Sequence, residues 1–338
     1  MKNATSTQHR FFSIAARVDH ALDRFFFRPA SPRPLAALRI GLAACLLLQA
    51  FFCRHDVIEF FSPEGLVQGA LASFLSVDHT PSLQWLADHL APYGVSESTC
   101  LYGVCLAYVI SLCLMLVGLF TRASTIACWF LHWTLMYSGY TQAYGADLFG
   151  HVFLFYLCWM PAGDAWSLDV RLGRREGGPS SLARLGIRVL QLHLCIMYLC
   201  SGIEKASGIQ WWNGELLWRA FSLPVYHQFD MSWLAHWPWI SMIAGWTTLL
   251  VELGYIVFIW PRATRRIWVF AAIGLHLGIA VFLGLAIFGF IMCVLTGTLF
   301  GLSAEPHAWE LSSDGLKRTP GKETFTFPGS GLRQPSPT

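Results

Sequence analysis

Apolar residues in this chain fall in long runs rather than in alternation. The first runs from Pro34 to about Phe52, the second from about Cys100 to Phe120, and the third from about Thr125 to Tyr137. A short fourth covers about Leu148 to Met160, a fifth has Val189 to Leu199 as its body, and a sixth runs from Trp237 to near Trp260. The last, Ile267 to Leu302, is too long for one crossing, because about 20 residues suffice. A break near Gly284 turns it into a seventh and an eighth. The pattern predicts an all-α, polytopic membrane helix bundle of about eight spans. The count is six to eight, since the last run can also be a re-entrant hairpin.

The polar segments between the runs give the sidedness. Residues 1–33 are basic, and Phe11, Ile14, Val18, Leu22 and Phe25 recur at helical spacing, which predicts an amphipathic helix lying on the membrane surface. Ser82 is placed to cap a short helix ending near His89. Residues 34–303 form the transmembrane domain, and 304–338, rich in Pro, Gly, Ser and Lys, read as a disordered tail. Lys and Arg collect in the N-terminus, in the second, fourth and sixth connections and in the tail. In an eight-span bundle those segments share one side. The excess of positive charge then places both termini in the cytoplasm, in a multi-pass inner (plasma) membrane protein. The 53–98 loop, the Asp147 loop and the Lys205 segment fall together on the outer face.

Composition supports the class and removes others. Of 338 residues, 55% are hydrophobic and 13% charged, against roughly 25% charged in a soluble domain. The net charge of +3 is spread over inter-span loops, so nucleic acid is not an expected partner and the lipid bilayer is. The first apolar run starts late and is too long for a cleavable signal peptide. The ten Cys lie mostly inside apolar runs and lack metal-ligand spacing. Cys53 and Cys100, near the ends of two spans, could pair on an oxidising face. There is no His-x-x-x-His pair, Gly-rich phosphate loop or Gly-x-Ser-x-Gly, so metal, nucleotide and serine-hydrolase chemistry have no support.

The chemistry concentrates in Tyr198 to Gly214. Helical spacing puts Gln191, Tyr198, Ser201 and Lys205 on one face, a polar stripe ending in an amine. A charge at the membrane centre costs roughly 2.5–3.5 kcal/mol by insertion scales and often marks function. A partly buried lysine can lose its proton and act as a general base. The plainer alternative is that Lys205 snorkels to the headgroups. Glu204 is next to it, about 100° away around the helix. Gly202, Gly208 and Gly214 permit a tight exit, and Trp211 and Trp212 suit the membrane boundary. Arg39, Tyr144, Asp147, Asn213 and Glu215 add polar groups on the same face, with Arg39 and Asp147 a candidate ion pair. His193 and His276 are intramembrane, and each reads first as a hydrogen bonder in the packing.

These residues carry a resemblance. Gln191-x-His193, Tyr198-x-x-Ser-Gly-x-Glu-Lys-x-x-Gly-x-x-Trp-Trp-Asn-Gly214, Tyr144-Gly-x-Asp147, Ser167-Leu-Asp169 after the Pro161 turn, Arg39-x-Gly41-Leu42, Phe61-Ser-Pro-Glu-Gly65 and His276-Leu-Gly are similar to the horizontally transferred transmembrane (HTTM) family. That family comprises bacterial relatives of the membrane domain of vitamin K-dependent γ-glutamyl carboxylase. The resemblance covers about residues 25–303. It implies that Lys205 stands where the carboxylase has its catalytic lysine, the base that deprotonates a reduced naphthoquinone, with O2 and CO2 as co-reactants and a peptide glutamate as acceptor. It implies a substrate site drawn from Arg39, Tyr144, Asp147, Tyr198, Ser201, Glu204, Trp211, Trp212, Asn213 and His276. Two departures are visible: Gly145 stands where the carboxylase has an important His, and its large lumenal domain is missing. Quinol-linked oxygenation survives those losses more easily than protein carboxylation. The alternative class is a non-enzymatic binding or immunity-type membrane module on the same scaffold.

Overall fold

The computed structural model describes residues 17–62, 65–66, 81–138 and 143–306, and among them the regular elements are helices, with one isolated bridge, Ala30–Ser180. Eight helices build the bundle: α1 (Arg33–Phe52), α2 (Glu97–Val117), α3 (Thr121–Ser138), α4 (Gly145–Trp159), α5 (Ser181–Ser207), α6 (Pro238–Phe258), α7 (Arg262–Phe282) and α8 (Ala286–Thr296). Helix α8 continues into a π-helical turn, Gly297–Gly301. Five of them, α1, α2, α5, α6 and α7, are long and apolar enough to cross a membrane, while α4 and α8 are shorter apolar helices. The last apolar run does divide at Gly284, whose φ of 70° suits a residue without Cβ.

Helix α1 is the centre. Leu35, Leu38, Leu42 and Leu46 recur at helical spacing and are fully buried, and α1 touches α2, α4, α5 and α8. In a bilayer such contacts stabilise through close packing rather than release of water. Small residues set the distance: a Cβ on Gly202 of α5 would lie 2.9 Å from Leu253 of α6. Successive helices alternate in direction. Ser31 N–H donates to Ala304 C=O at 3.0 Å, so the start of α1 lies beside the end of α8. Arg122, Arg174, Arg184, Arg188 and Arg265 all lie toward that end, and Lys205 lies at the other.

Several local expectations hold. Ser82 accepts from Trp85 N–H at 3.1 Å and caps the helix Leu83–Leu90. His193 Nδ1 meets Tyr156 OH at 2.7 Å, a packing hydrogen bond. Residues 17–27 are helical, with Val18 and Leu22 exposed and Phe25 packed on Trp260 and Arg188. Phe11, Ile14, Pro63, Glu64 and the tail after Pro306 lie outside the described residues. Cys53 and Cys100 are not bonded to each other; all ten cysteines are free.

One expectation is corrected. Arg39 does not pair with Asp147. It sits early in α1, whereas Gln49, ten residues or about 15 Å further along, is the residue that reaches Asp147, at 2.6 Å. Fully buried, Arg39 donates from Nη2 to Trp166 C=O at 2.6 Å, and the nearby carboxylate acting on it is Asp169. Asp169 also caps α3: it accepts from Phe120 N–H (2.9 Å), Thr121 N–H (2.8 Å) and Thr121 Oγ1–H (2.7 Å). Burial opposes its ionisation, but those bonds, with Arg175 nearby, hold its carboxyl below the ordinary value. Asp169→Asn should therefore cost about 2–3 kcal/mol at neutral pH. The sign follows from the depressed folded pKa. The contribution is complete above the unfolded value near pH 4 and is lost as pH falls through the lower, folded value. Thermal denaturation in detergent should show wild type and variant converging in acid; a constant gap from pH 7 to pH 2 would contradict this assignment.

Candidate functional site

Helix α5 carries polar groups along its whole length. Ten residues in, Gln191 Nε2–H donates to Leu299 C=O in the π-helical turn at 2.6 Å. Two turns later, Tyr198 OH lies 2.8 Å from His276 Nε2 on α7 and 3.4 Å from Thr296 Oγ1 on α8. Tyr255 of α6 stacks on Tyr198 with ring centroids 4.0 Å apart, and its hydroxyl donates to the same Thr296 at 3.3 Å. All four side chains are buried, so this layer is a buried hydrogen-bonded node joining four helices, in which His276 bonds through Nε2.

Lys205 lies two turns above it, at the end of α5. Its Nζ is 2.9 Å from Glu252 Oε2 of α6 and donates to Ser201 Oγ one turn below. The Glu252 side chain is 7% exposed and that of Lys205 24%. The acid is therefore taken out of solvent while the amine keeps one open side. Gly202, by allowing α5 and α6 to touch, brings the two side chains into range. The chain then leaves α5 at Gly208, makes the short helix Ile209–Trp212, and turns at Gly214 with φ 78°. That path lays the Trp211 ring 5.5 Å from Nζ. Trp212 Nε1–H is anchored on Ala206 C=O at 2.8 Å, and Asn213 Oδ1 accepts from Glu215 N–H at 3.0 Å, so both hold the turn. Glu204 is exposed and lies about 100° around the helix from Lys205.

A second polar cluster lies at the same end of the bundle, on α1, α2, α3 and α4. Tyr144 precedes α4 and its N–H donates to Asp147 Oδ2 at 3.0 Å, while Oδ1 accepts from Gln49. His132 Nε2 faces Asp147 C=O at 3.0 Å, so that nitrogen carries the proton; Nδ1 then accepts from Tyr108 OH at 2.8 Å. Burial, and secondarily the Asp147 charge, push the Tyr144 phenol up to about 12. These residues edge a cavity of about 470 Å3 whose remaining walls are largely apolar and which Lys205 does not border.

The structure thus gathers Lys205, Ser201 and Trp211, with Tyr198 and His276 one layer deeper. Tyr144 and Asp147 form a separate cluster, and Arg39 lies at the opposite end. Glu252, the direct partner of Lys205, is missing from the residues singled out in the sequence. Its signal was a single carboxylate inside the apolar run that ends at Trp260. Among the described residues no group of three His, Cys, Asp or Glu is arranged to hold a metal ion.

Comparison with known proteins gives one match. The family profile described as the HTTM domain aligns with residues 27–303, most of the chain. No curated protein and no solved structure matches.

Proposed function

Because the chain belongs to the HTTM family, we propose that Lys205 and Glu252 form a membrane-embedded acid–base pair that takes a proton from a lipid-soluble reduced naphthoquinone. The observation carrying this reading is the pair itself, 2.9 Å apart and drawn out of solvent. Two opposite charges in a low dielectric suffer a desolvation penalty that their attraction only partly offsets. Moving one proton from Nζ to Oε2 removes both charges without changing the net charge of the bundle. The neutral amine left behind is a base. When bound, a reduced quinone supplies an acidic hydroxyl and, with O2, the strong base of carboxylase-like chemistry. Nζ accepts the hydroxyl proton, Ser201 orients the amine, and Glu252 holds the proton it received. The amine keeps one open side, and the Trp211 ring, 5.5 Å from Nζ, gives an apolar ring approaching it a flat wall to stack on. The crowding of Arg at the opposite end supports an inner-membrane orientation with Lys205 outward. At Gly145, where the carboxylase-like pattern has a His, a Cβ would be 3.1 Å from Phe288. No second base is available there, which favours quinol oxygenation over peptide carboxylation.

A second reading, a non-enzymatic binding module, is favoured by one observation: Lys205 already has Glu252, Ser201 and Trp211 as partners, and the cavity beside Asp147 lies elsewhere. Mass spectrometry of products separates the two. Purified protein in bilayer discs with reduced menaquinone and O2 should yield quinone epoxide. Lys205→Ala should yield none until a small primary amine is added, and then a part of the wild-type amount. Absence of epoxide from the wild type overturns the catalytic reading and leaves the binding module.

A further inference from the structure

We propose that the cavity beside Asp147 is a binding site for a phospholipid whose headgroup carries a primary ammonium. Its volume of about 470 Å3 lies within the roughly 300–1,000 Å3 of ligand pockets. Its walls are mainly apolar, among them Leu46, Val57, Val109 and Leu135, and they suit an acyl chain. Its polar edge is built rather than incidental. Asp147 is fixed by Gln49 and by Tyr144 N–H, and the Tyr108–His132 pair holds its backbone carbonyl. Each carboxylate oxygen accepts one of those bonds, and a carboxylate has about four acceptor positions. No Lys or Arg among the described residues forms an ion pair with Asp147. Asp56 borders the same space and adds a second negative charge. A carboxylate edge on an apolar pocket calls for a cation with N–H donors.

The rest of the headgroup is matched too. Arg54 also borders the cavity; its Nη1 donates to Phe51 C=O at 2.5 Å and its guanidinium lies over the Phe51 ring, leaving further N–H groups free for a phosphate. An ammonium at Asp147 and a phosphate at Arg54, with a chain along Val57 and Val109, uses every kind of group the cavity offers. This site is independent of the Lys205 pair, which does not border it.

Native mass spectrometry tests the assignment. The full chain, exchanged into equal amounts of phosphatidylethanolamine, phosphatidylcholine and phosphatidylglycerol, should retain the first about fivefold over the others. Phosphatidylcholine is the sharp control, since its quaternary nitrogen has no N–H. Asp147→Asn should remove the preference. Because Asp147 also holds the start of α4, two variants outside that turn accompany it. Arg54→Gln should weaken retention of phosphatidylethanolamine, and Val109→Trp, which fills the cavity, should lower retention of all three. Equal retention of the three lipids by the wild type, or unchanged phosphatidylethanolamine retention in both Arg54→Gln and Val109→Trp, would overturn the proposal.

Discussion

Replacing Glu252 by Ala should lower stability by about 3–5 kcal/mol, because it strands the Lys205 ammonium beside an apolar helix face. The pair is short, 2.9 Å, and its acid is nearly sealed from solvent. Much of the loss comes from the partner left behind rather than from the attraction removed. The companion variants make that distinction measurable. Lys205→Met should strand a carboxyl, which can take up a proton and become neutral, so its cost should be smaller. The double variant Lys205→Met with Glu252→Leu should recover most of the stability lost by Glu252→Ala, since no buried charge remains. Unfolding in mixed micelles reads all four proteins. A Glu252→Ala protein as stable as wild type would mean that Lys205 finds water or headgroups unaided, and the pair would lose its structural meaning.

The second large effect is steric and lies in the turn that covers the pair. Gly214 has φ 78°, and a Cβ there would stand 2.5 Å from Met242 N and 2.8 Å from Ser241 C in α6. Those are backbone atoms, which cannot rotate out of the way. Gly214→Ala combines a left-handed backbone cost of about 1 kcal/mol with overpacking of about 1–3 kcal/mol. It should also lift the Ile209–Trp212 helix and draw Trp211 away from Lys205. Trp fluorescence and thermal unfolding should move together. Gly94, also at positive φ but with open space around its Cβ position, is the control. Gly94→Ala should show only the backbone term. Equal effects at the two glycines would remove the packing argument.

The architecture was legible because span length, charge segregation and a glycine at positive φ are local properties. The break at Gly284 could be found by counting residues against bilayer thickness. Lys205 was legible for a similar reason: its helical phase with Tyr198 and Ser201 needs only one helix. What needs two helices was not. Arg39 and Asp147 are both charged and both near apolar runs, so they invite pairing, yet they occupy opposite ends of the bundle. Arg39, six residues into α1, lies near the start of that helix, far from the end where Asp147 sits. Asp169 lies in the one-turn helix Leu168–Arg171, and only the fold reveals that it caps α3 and acts on Arg39. Glu252 shows the complementary limit. A lone acid in an apolar run signals a partner, but the identity of that partner depends on how α5 and α6 are apposed, which Gly202 permits and the pattern of either run alone does not encode.

In the proposed reaction the Lys205 amine transfers protons rather than serving only as a charge. Arginine keeps the charge, pairs with a carboxylate and does not lose its proton in proteins. The direct measurement is therefore the rate of reduced-menaquinone oxidation by wild type and Lys205→Arg in the same bilayer, at matched folding and expression. The wild type should turn over, and the Arg variant should lose at least about a hundredfold, the scale on which general bases contribute. Wild-type turnover retained by Lys205→Arg would contradict that role.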